Sequence, residues 1–192
     1  LKLRELQKKK QLELSSSKDN SLSTGSQDNR NQLTAARLRL QNDLNNLELP
    51  PGVNLSILSV LSDLKESPHL TLLISPDEGY YKSGKFKFDL KFNENYPIEP
   101  PIVLCMNKIF HPNIDLDGKI CLNILREDWS PALDLNSIII GLLYLFLECN
   151  AKDPLNKEAA NILHSDEDMF RKYVRDSMAG KKLFNIQYDN VL

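Results

Sequence analysis

The sequence predicts an α+β protein with an N-terminal helix, a four-stranded antiparallel meander, a central helix packed on the sheet and two C-terminal helices. Two observations carry this. Four strand-like segments follow one another with no helical pattern between them, which argues for a meander and against β-α-β units. Residues 135 to 147 are almost wholly apolar and too short to span a bilayer, so they read as a helix buried against that sheet.

Taken in order, residues 1 to 30 stand apart. Lys2, Arg4, Lys8, Lys9 and Lys10 face only Glu5, and Leu1, Leu3 and Leu6 are spaced among them. Ser15 to Asn31 is rich in Ser, Asn, Asp and Gln, and cannot bury enough apolar surface to offset its ordering entropy. This predicts a flexible basic extension ahead of a folded domain over 31–192. Leu33, Ala36, Leu40, Leu44 and Leu47 recur at helical spacing, with Asn31 or Thr34 as cap. Arg37 and Arg39 fall off that stripe and are expected to face solvent or a partner. Pro50-Pro51-Gly52 ends the helix.

Val53 to Leu61 reads as the first strand, and Leu70, Leu72 and Ile74 alternate as the second. Phe86, Phe88, Leu90 and Phe92 form the third, and Ile102 to Cys105 the fourth. After the apolar helix come a helix near Asn156 to Leu163 and another from Asp166 to Ala179. Ser165 and Asp168 stand in capping-box spacing, and Gly180 is the stop.

Composition narrows the function classes. The chain has 192 residues, 41% hydrophobic and 26% charged, with a net charge of −2, as soluble domains have. That charge gives no global reason to expect a nucleic-acid partner. No apolar run is long enough to cross a membrane. Cys105, Cys121 and Cys149 form no C-x-x-C pair, no metal site is expected, and so sparse a count fits a reducing compartment.

The most informative stretch runs from His111 to Cys121, a turn-rich loop that gathers an imidazole, a side-chain amide and a thiol. A thiol can carry an acyl group as a thioester. The Asn113 amide can donate to the oxyanion formed when that thioester is attacked. His111 is held in a His-Pro-Asn turn, where Pro112 restricts it, so it suits loop organisation better than base catalysis. This points to acyl carriage and hand-over rather than hydrolysis.

The run Tyr96-Pro97-Ile98-Glu99-Pro100-Pro101, then His111-Pro112-Asn113, Cys121, Trp129-Ser130-Pro131-Ala132-Leu133 and Asp153-Pro154-Leu155 resembles the ubiquitin-conjugating enzyme family. The motifs follow in that family's order and spacing over about residues 33 to 180. Leu122 to Trp129, Leu145 to Glu148, Asp153 to Ala160 and the tip Leu1-Lys2-Leu3-Arg4 resemble the branch that conjugates the NEDD (Rub) modifier.

The resemblance implies the ubiquitin-conjugating fold and a transferase. A heterodimeric activating enzyme, having spent ATP, would pass the modifier to Cys121 as a thioester, and a substrate lysine, on cullins, would then receive it. No cofactor or metal is implied beyond that activated modifier, and the setting is cytoplasmic and nuclear. Asn113 carries over as support for the tetrahedral intermediate or its loop, and Asn123 as a weaker member of the set. Asp153 carries over as the residue that orients or deprotonates the incoming lysine. Asp followed by Pro154 is equally an ordinary helix start. Ile98, Pro131 and Ala132 match the apolar patch that receives RING-type and co-ligase proteins. Leu1, Leu3, Arg37 and Arg39 match docking positions for the activating enzyme. Cys149 and Ala151 replace two prolines common in the family. Two alternatives stay open: conjugation of ubiquitin itself, and a non-catalytic scaffold, which the presence of Cys121 argues against.

Overall fold

Thr34 starts the first helix. Its hydroxyl accepts the Arg37 N–H at 3.4 Å, satisfying a donor that the first turn leaves unpaired. Helix α1, Ala35–Asn45, buries Ala36, Leu40 and Leu44 of the predicted stripe, while Leu33 and Leu47 fall just outside the helix and are half-buried. The structure is a computed structural model that describes residues 33–59, 63 and 65–192. The predicted N-terminal extension, with Leu1 and Leu3, lies outside the described residues.

Strands β1 (Val53–Ile57), β2 (His69–Ile74), β3 (Phe86–Lys91) and β4 (Ile102–Cys105) form one antiparallel sheet in chain order. Register sets the core. Leu72 lies opposite Phe88, Leu70 opposite Leu90 and Ile74 opposite Phe86, so one face is continuous apolar surface. β1 ends before the predicted Leu61, itself outside the described residues. The N–H groups of Leu58 and Ser59 both turn onto the His69 carbonyl, at 2.9 and 3.3 Å, and the regular ladder stops there.

Helix α2, Leu135–Leu147, lies on the apolar face, and its bounds are the predicted ones. Asp134 caps it by accepting the Ser137 N–H at 2.8 Å. Phe146 stacks on Phe86 with ring centroids 4.3 Å apart and meets Phe88 and Tyr81 edge-on. Each fully buried aromatic here contributes about 1.5–3 kcal/mol by transfer from water.

Helices α3 (Lys157–Ser165) and α4 (Glu167–Met178) follow. Their caps differ from expectation. Asn156 caps α3, accepting the Ala159 N–H at 3.1 Å, so Asp153 is not its helix-start residue. Asp166 caps α4 through the Met169 N–H at 2.9 Å, where the Ser165–Asp168 spacing suggested Ser165. Asp and Ser serve equally well at this position, and the sequence does not choose between adjacent candidates. Gly180 stops the helix with φ +75°.

One element escaped the sequence reading. β5 (Lys182–Leu183) and β6 (Ile186–Gln187) form a hairpin whose turn residues Phe184 and Asn185 both have positive φ. Two-residue strands are too short to show a period, and Phe is an unusual residue for such a turn. The tail beyond it buries Tyr188 and Val191, and the Val191 carbonyl accepts the Lys85 N–H at 2.7 Å.

Among the described residues no helix is long and apolar enough to cross a membrane, and no His, Cys, Asp and Glu cluster has metal-binding geometry.

Gly118 joins the loop before Cys121 to the sheet. Its carbonyl accepts the Cys105 N–H at 2.8 Å, its φ is +80°, and a Cβ there would sit 2.0 Å from the Cys105 carbonyl oxygen. Gly118→Ala should therefore lower the unfolding free energy by about 2 kcal/mol or more, through left-handed strain and a backbone collision that no rotamer relieves. Urea denaturation of the two proteins checks this.

Candidate active site

The loop from His111 to Cys121 is closed on itself by backbone bonds. The Cys121 N–H donates to the Asn113 carbonyl at 2.8 Å, and the Asp115 N–H to the Lys119 carbonyl at 3.0 Å. One Asp115 carboxylate oxygen accepts the N–H groups of both Asp117 and Lys119, at 2.9 and 2.8 Å. Asn113 and Cys121 are thus adjacent through the main chain, as the spacing suggests.

His111 is fully buried, stacked on Tyr81 with centroids 4.9 Å apart. Its Nε2–H donates to the Leu145 carbonyl at 2.9 Å, and its Nδ1 accepts the Asn113 N–H at 2.9 Å. Only the neutral Nε2-protonated tautomer satisfies both bonds. Burial disfavours the charged ring and pushes its pKa down to about 4, against a smaller opposing effect of the Leu145 carbonyl. Both nitrogens being engaged, the ring has no free lone pair for the Cys121 proton. It ties the loop to the end of α2.

Asn113 is buried too, and its amide makes a reciprocal pair with a neighbouring backbone. Nδ2 donates to the Asn150 carbonyl at 2.9 Å, and Oδ1 accepts the Asn150 N–H at 3.2 Å. The Leu155 and Asn156 N–H groups both reach the Pro112 carbonyl at 3.0 Å. The His-Pro-Asn turn therefore pins the 150–156 segment at both ends. Between the pins, Asp153 is exposed at φ +49°, and among the described residues no hydrogen bond or ion pair engages its carboxylate. With the cap on Asn156, a solvent-facing Asp in a left-handed conformation is what Asp153 offers. An open groove runs alongside, lined by Asp115, Leu116, Asp117, Leu155, Asn156 and Tyr188 among others.

The three thiols differ. Burial pushes Cys105 up to about 12, and does the same to Cys149, whose thiol contacts the Leu145 carbonyl at 3.6 Å. So the residue standing where the family commonly has proline is itself bonded to the end of α2. Cys121 is half-buried and free of any disulfide. Its side-chain neighbour is Arg126, unpicked from sequence: Nη1 lies 3.8 Å from Sγ, and Nη2 donates to the Ile120 carbonyl at 3.1 Å. Asn123 opens a short 3₁₀ turn, Asn123–Leu125, with its side chain exposed. Arg126 lies within the Leu122–Trp129 run but carries no role in it, and Asn150 falls in no motif or period, so sequence alone singles out neither.

The expected docking positions split. Ile98 is 76% exposed, and Pro131 and Ala132 are exposed as well. Their two loops are joined by Trp129, whose Nε1–H donates to the Pro97 carbonyl at 2.9 Å. The expectation that Arg37 and Arg39 face solvent or a partner fails for Arg37, which is buried, while Arg39 stays partly exposed. Arg37 is 1% exposed, with Nε on Glu94 at 3.0 Å and Nη1 and Nη2 on the Asp63 and Glu66 carbonyls at 2.7 Å. Arg39 binds Asp43 and the carbonyls of Pro131 and Leu133, each at 2.8 Å. Helical period cannot anticipate this, because a long cation off the apolar stripe can fold back over irregular loops and satisfy their carbonyls.

His111 predicts an acid sensitivity. Its folded pKa lies below its unfolded one, so the unfolded chain binds the proton first as pH falls. Stability is full above about 6.5 and is lost progressively down to about 4, about 2 kcal/mol of it by pH 5. Glu94, held low by the Thr34 hydroxyl, acts only below its ordinary value of 4.5. Urea unfolding at pH 7 and pH 5 should show this loss. His111→Gln should be less stable at pH 7 but nearly flat between the two.

Comparison with known proteins agrees with this geometry. The family model described as ubiquitin-conjugating enzyme matches residues 39–178. A relative named NEDD8-conjugating enzyme UBC12 from Saccharomyces cerevisiae is 56% identical over 162 residues, covering 83% of this chain and 86% of its own length. The Nedd8-conjugating enzyme UbcE2M of Drosophila melanogaster is 49% identical over 147 residues, 77% of this chain and 79% of its own. A solved structure described as S. cerevisiae Ubc12 superposes with a TM-score of 0.82 at 53% identity, covering 100% of this chain and 98% of that one. The buried His-Pro-Asn turn, the thiol beside it and these matches have one meaning: the chain belongs to the ubiquitin-conjugating enzyme family.

Proposed function

We propose that this chain conjugates a NEDD8-type modifier. Its activating enzyme delivers the modifier's C-terminal glycyl group as a thioester. The Cys121 thiolate attacks that carbonyl carbon, a new C–S bond forms, and the activating enzyme's thiolate leaves. A lysine amine on the substrate, for which cullins are the proposed class, then attacks the Cys121 thioester. An amide forms, the C–S bond breaks, and the amine proton passes to solvent. The acyl energy arrives stored in the thioester, so no cofactor is needed, and ATP is consumed upstream.

The observation that carries this reading is Cys121 itself: a half-buried free thiol on a loop whose only imidazole is locked away as a neutral strut. A hydrolase needs a base to activate water, whereas thioester exchange needs a thiol, a positioned carbonyl and a partner that brings the amine. The names of the relatives support the NEDD8-type modifier over ubiquitin. Exposed Ile98, Pro131 and Ala132 offer RING-type and co-ligase proteins an apolar contact. Asp153, whose carboxylate has no hydrogen-bond or ion-pair partner among the described residues, is the group proposed to receive the incoming lysine.

Charging with each modifier tests the reading. A NEDD8-type modifier should form a reductant-sensitive adduct on Cys121, and ubiquitin should not. Cys121→Ser should give a reductant-resistant oxyester, and Cys121→Ala none. Charging of Cys121→Ala on Cys105 or Cys149 would contradict the assignment.

The basic, leucine-bearing extension is proposed to dock on the activating enzyme. A tether makes its second contact effectively intramolecular, at about millimolar local concentration. Deleting residues 1–28 should raise the KM for charging about tenfold or more and leave the thermal midpoint unchanged. Leu1→Ala with Leu3→Ala should reproduce most of that rise. Equal KM values in all three proteins would make the extension a passive linker.

A further inference from the structure

Among the described residues no base is paired with the thiol, and the Asn113 amide is spent on Asn150. Among the described residues, the side-chain donor that meets the reacting sulfur is Arg126. Its placement is built by the chain that follows Cys121. Residues 123–125 make a 3₁₀ turn, and the Arg126 N–H closes it on the Asn123 carbonyl at 2.9 Å, which folds the chain back toward Cys121. Gly141 of α2 admits that turn closely, since a Cβ there would lie 2.7 Å from Ile124 Cδ1. The guanidinium then spans two neighbouring groups. Nη2 donates to the Ile120 carbonyl at 3.1 Å, and Nη1 sits 3.8 Å from Cys121 Sγ. The first bond aims the fork and the second meets the sulfur.

We infer that Arg126 is a catalytic residue, whose Nη1–H stabilises the Cys121 thiolate when it attacks during loading and when it leaves during discharge. The inference rests on the reading of Cys121 as the thioester carrier. In loading, the thiol proton goes to solvent and the sulfur lone pair forms the C–S bond. In discharge, the electron pair of the breaking C–S bond returns to sulfur beside the guanidinium. Both half-reactions place negative charge on the same atom, so one fixed cation serves both. Arginine suits this role because it stays charged and can hold its anchor and its target at once. Charge-assisted hydrogen bonds are the stronger kind, although exposure of Arg126 to solvent weakens this one.

The full chain, Arg126→Gln, Arg126→Lys and Cys121→Ala should be compared in three assays. These are iodoacetamide alkylation of Cys121 located by mass spectrometry, single-turnover charging, and discharge to free lysine without a ligase. For Arg126→Gln, all three rates should fall about two- to fivefold with an unchanged thermal midpoint. The alkylation deficit should shrink at high salt, because the pair is exposed and screened. Arg126→Lys should recover part of the rate, since it keeps the charge but loses the fork. Wild-type rates in Arg126→Gln, with charging still confined to Cys121, would overturn this inference alone. So would a loss that follows a drop in thermal midpoint and ignores salt, because Arg126 would then serve only to hold the Ile120 carbonyl. Charging of Cys121→Ala would overturn the reading of the thiol together with it.

Discussion

The site depends on one buried imidazole held between two backbone groups. His111 gives its proton to the end of α2 and takes one from Asn113, and the interior around it admits only the neutral ring. Everything nearby is then fixed in turn. Asn113 is oriented and can clasp Asn150, while its carbonyl takes the Cys121 N–H. Pro112 receives the chain returning at residues 155 and 156. A polar pair buried this deeply is costly unless every member is satisfied, and here each is. The consequence for chemistry is a division of labour. The imidazole is structural and holds the loop rather than acting as a base for the thiol.

A second polar set holds the surfaces. The Arg39 guanidinium spans Asp43 and the carbonyls of Pro131 and Leu133, while Asp43 also receives the Tyr96 hydroxyl and the Leu135 N–H at 3.3 Å. Helix α1, the loop that follows Tyr96 and the loop that precedes α2 are thereby held in one arrangement. Trp129 adds a link to Pro97. Exposed apolar side chains such as Ile98 are useful for docking only if their backbone is ordered before the partner arrives, because ordering them afterwards would weaken binding. Arg37 performs a comparable task for the Asp63 and Glu66 carbonyls.

What the sequence discloses is set by length and period. The sheet order, the bounds of α2 and the apolar stripe of α1 were legible because each repeats a spacing over several residues. The His-Pro-Asn turn and Cys121 were legible through their motif. Less legible were features decided by single contacts: Asn156 rather than Asp153 as the α3 cap, Asp166 rather than Ser165 for α4, and the hairpin at 182–187. The arginines show the limit best. A helical wheel places Arg37 and Arg39 outside the core stripe, and it does so correctly. It cannot show that the loops beside the helix offer carbonyls that draw those side chains inward. Nor could any spacing show that Arg126 folds back on Cys121, because that contact is made by a turn of three residues.

The most direct test of this account is the protonation state of His111. Nitrogen chemical shifts and long-range proton couplings of its ring, followed by NMR from pH 7.5 to 5, report which nitrogen carries hydrogen. The account predicts a neutral ring protonated at Nε2 throughout that range, with slow exchange of the Nε2 proton. A ring protonated at Nδ1, or one that becomes charged near pH 6.5, would contradict it, because neither form can accept the Asn113 N–H at Nδ1, and the imidazole could not then be the strut that orders the loop.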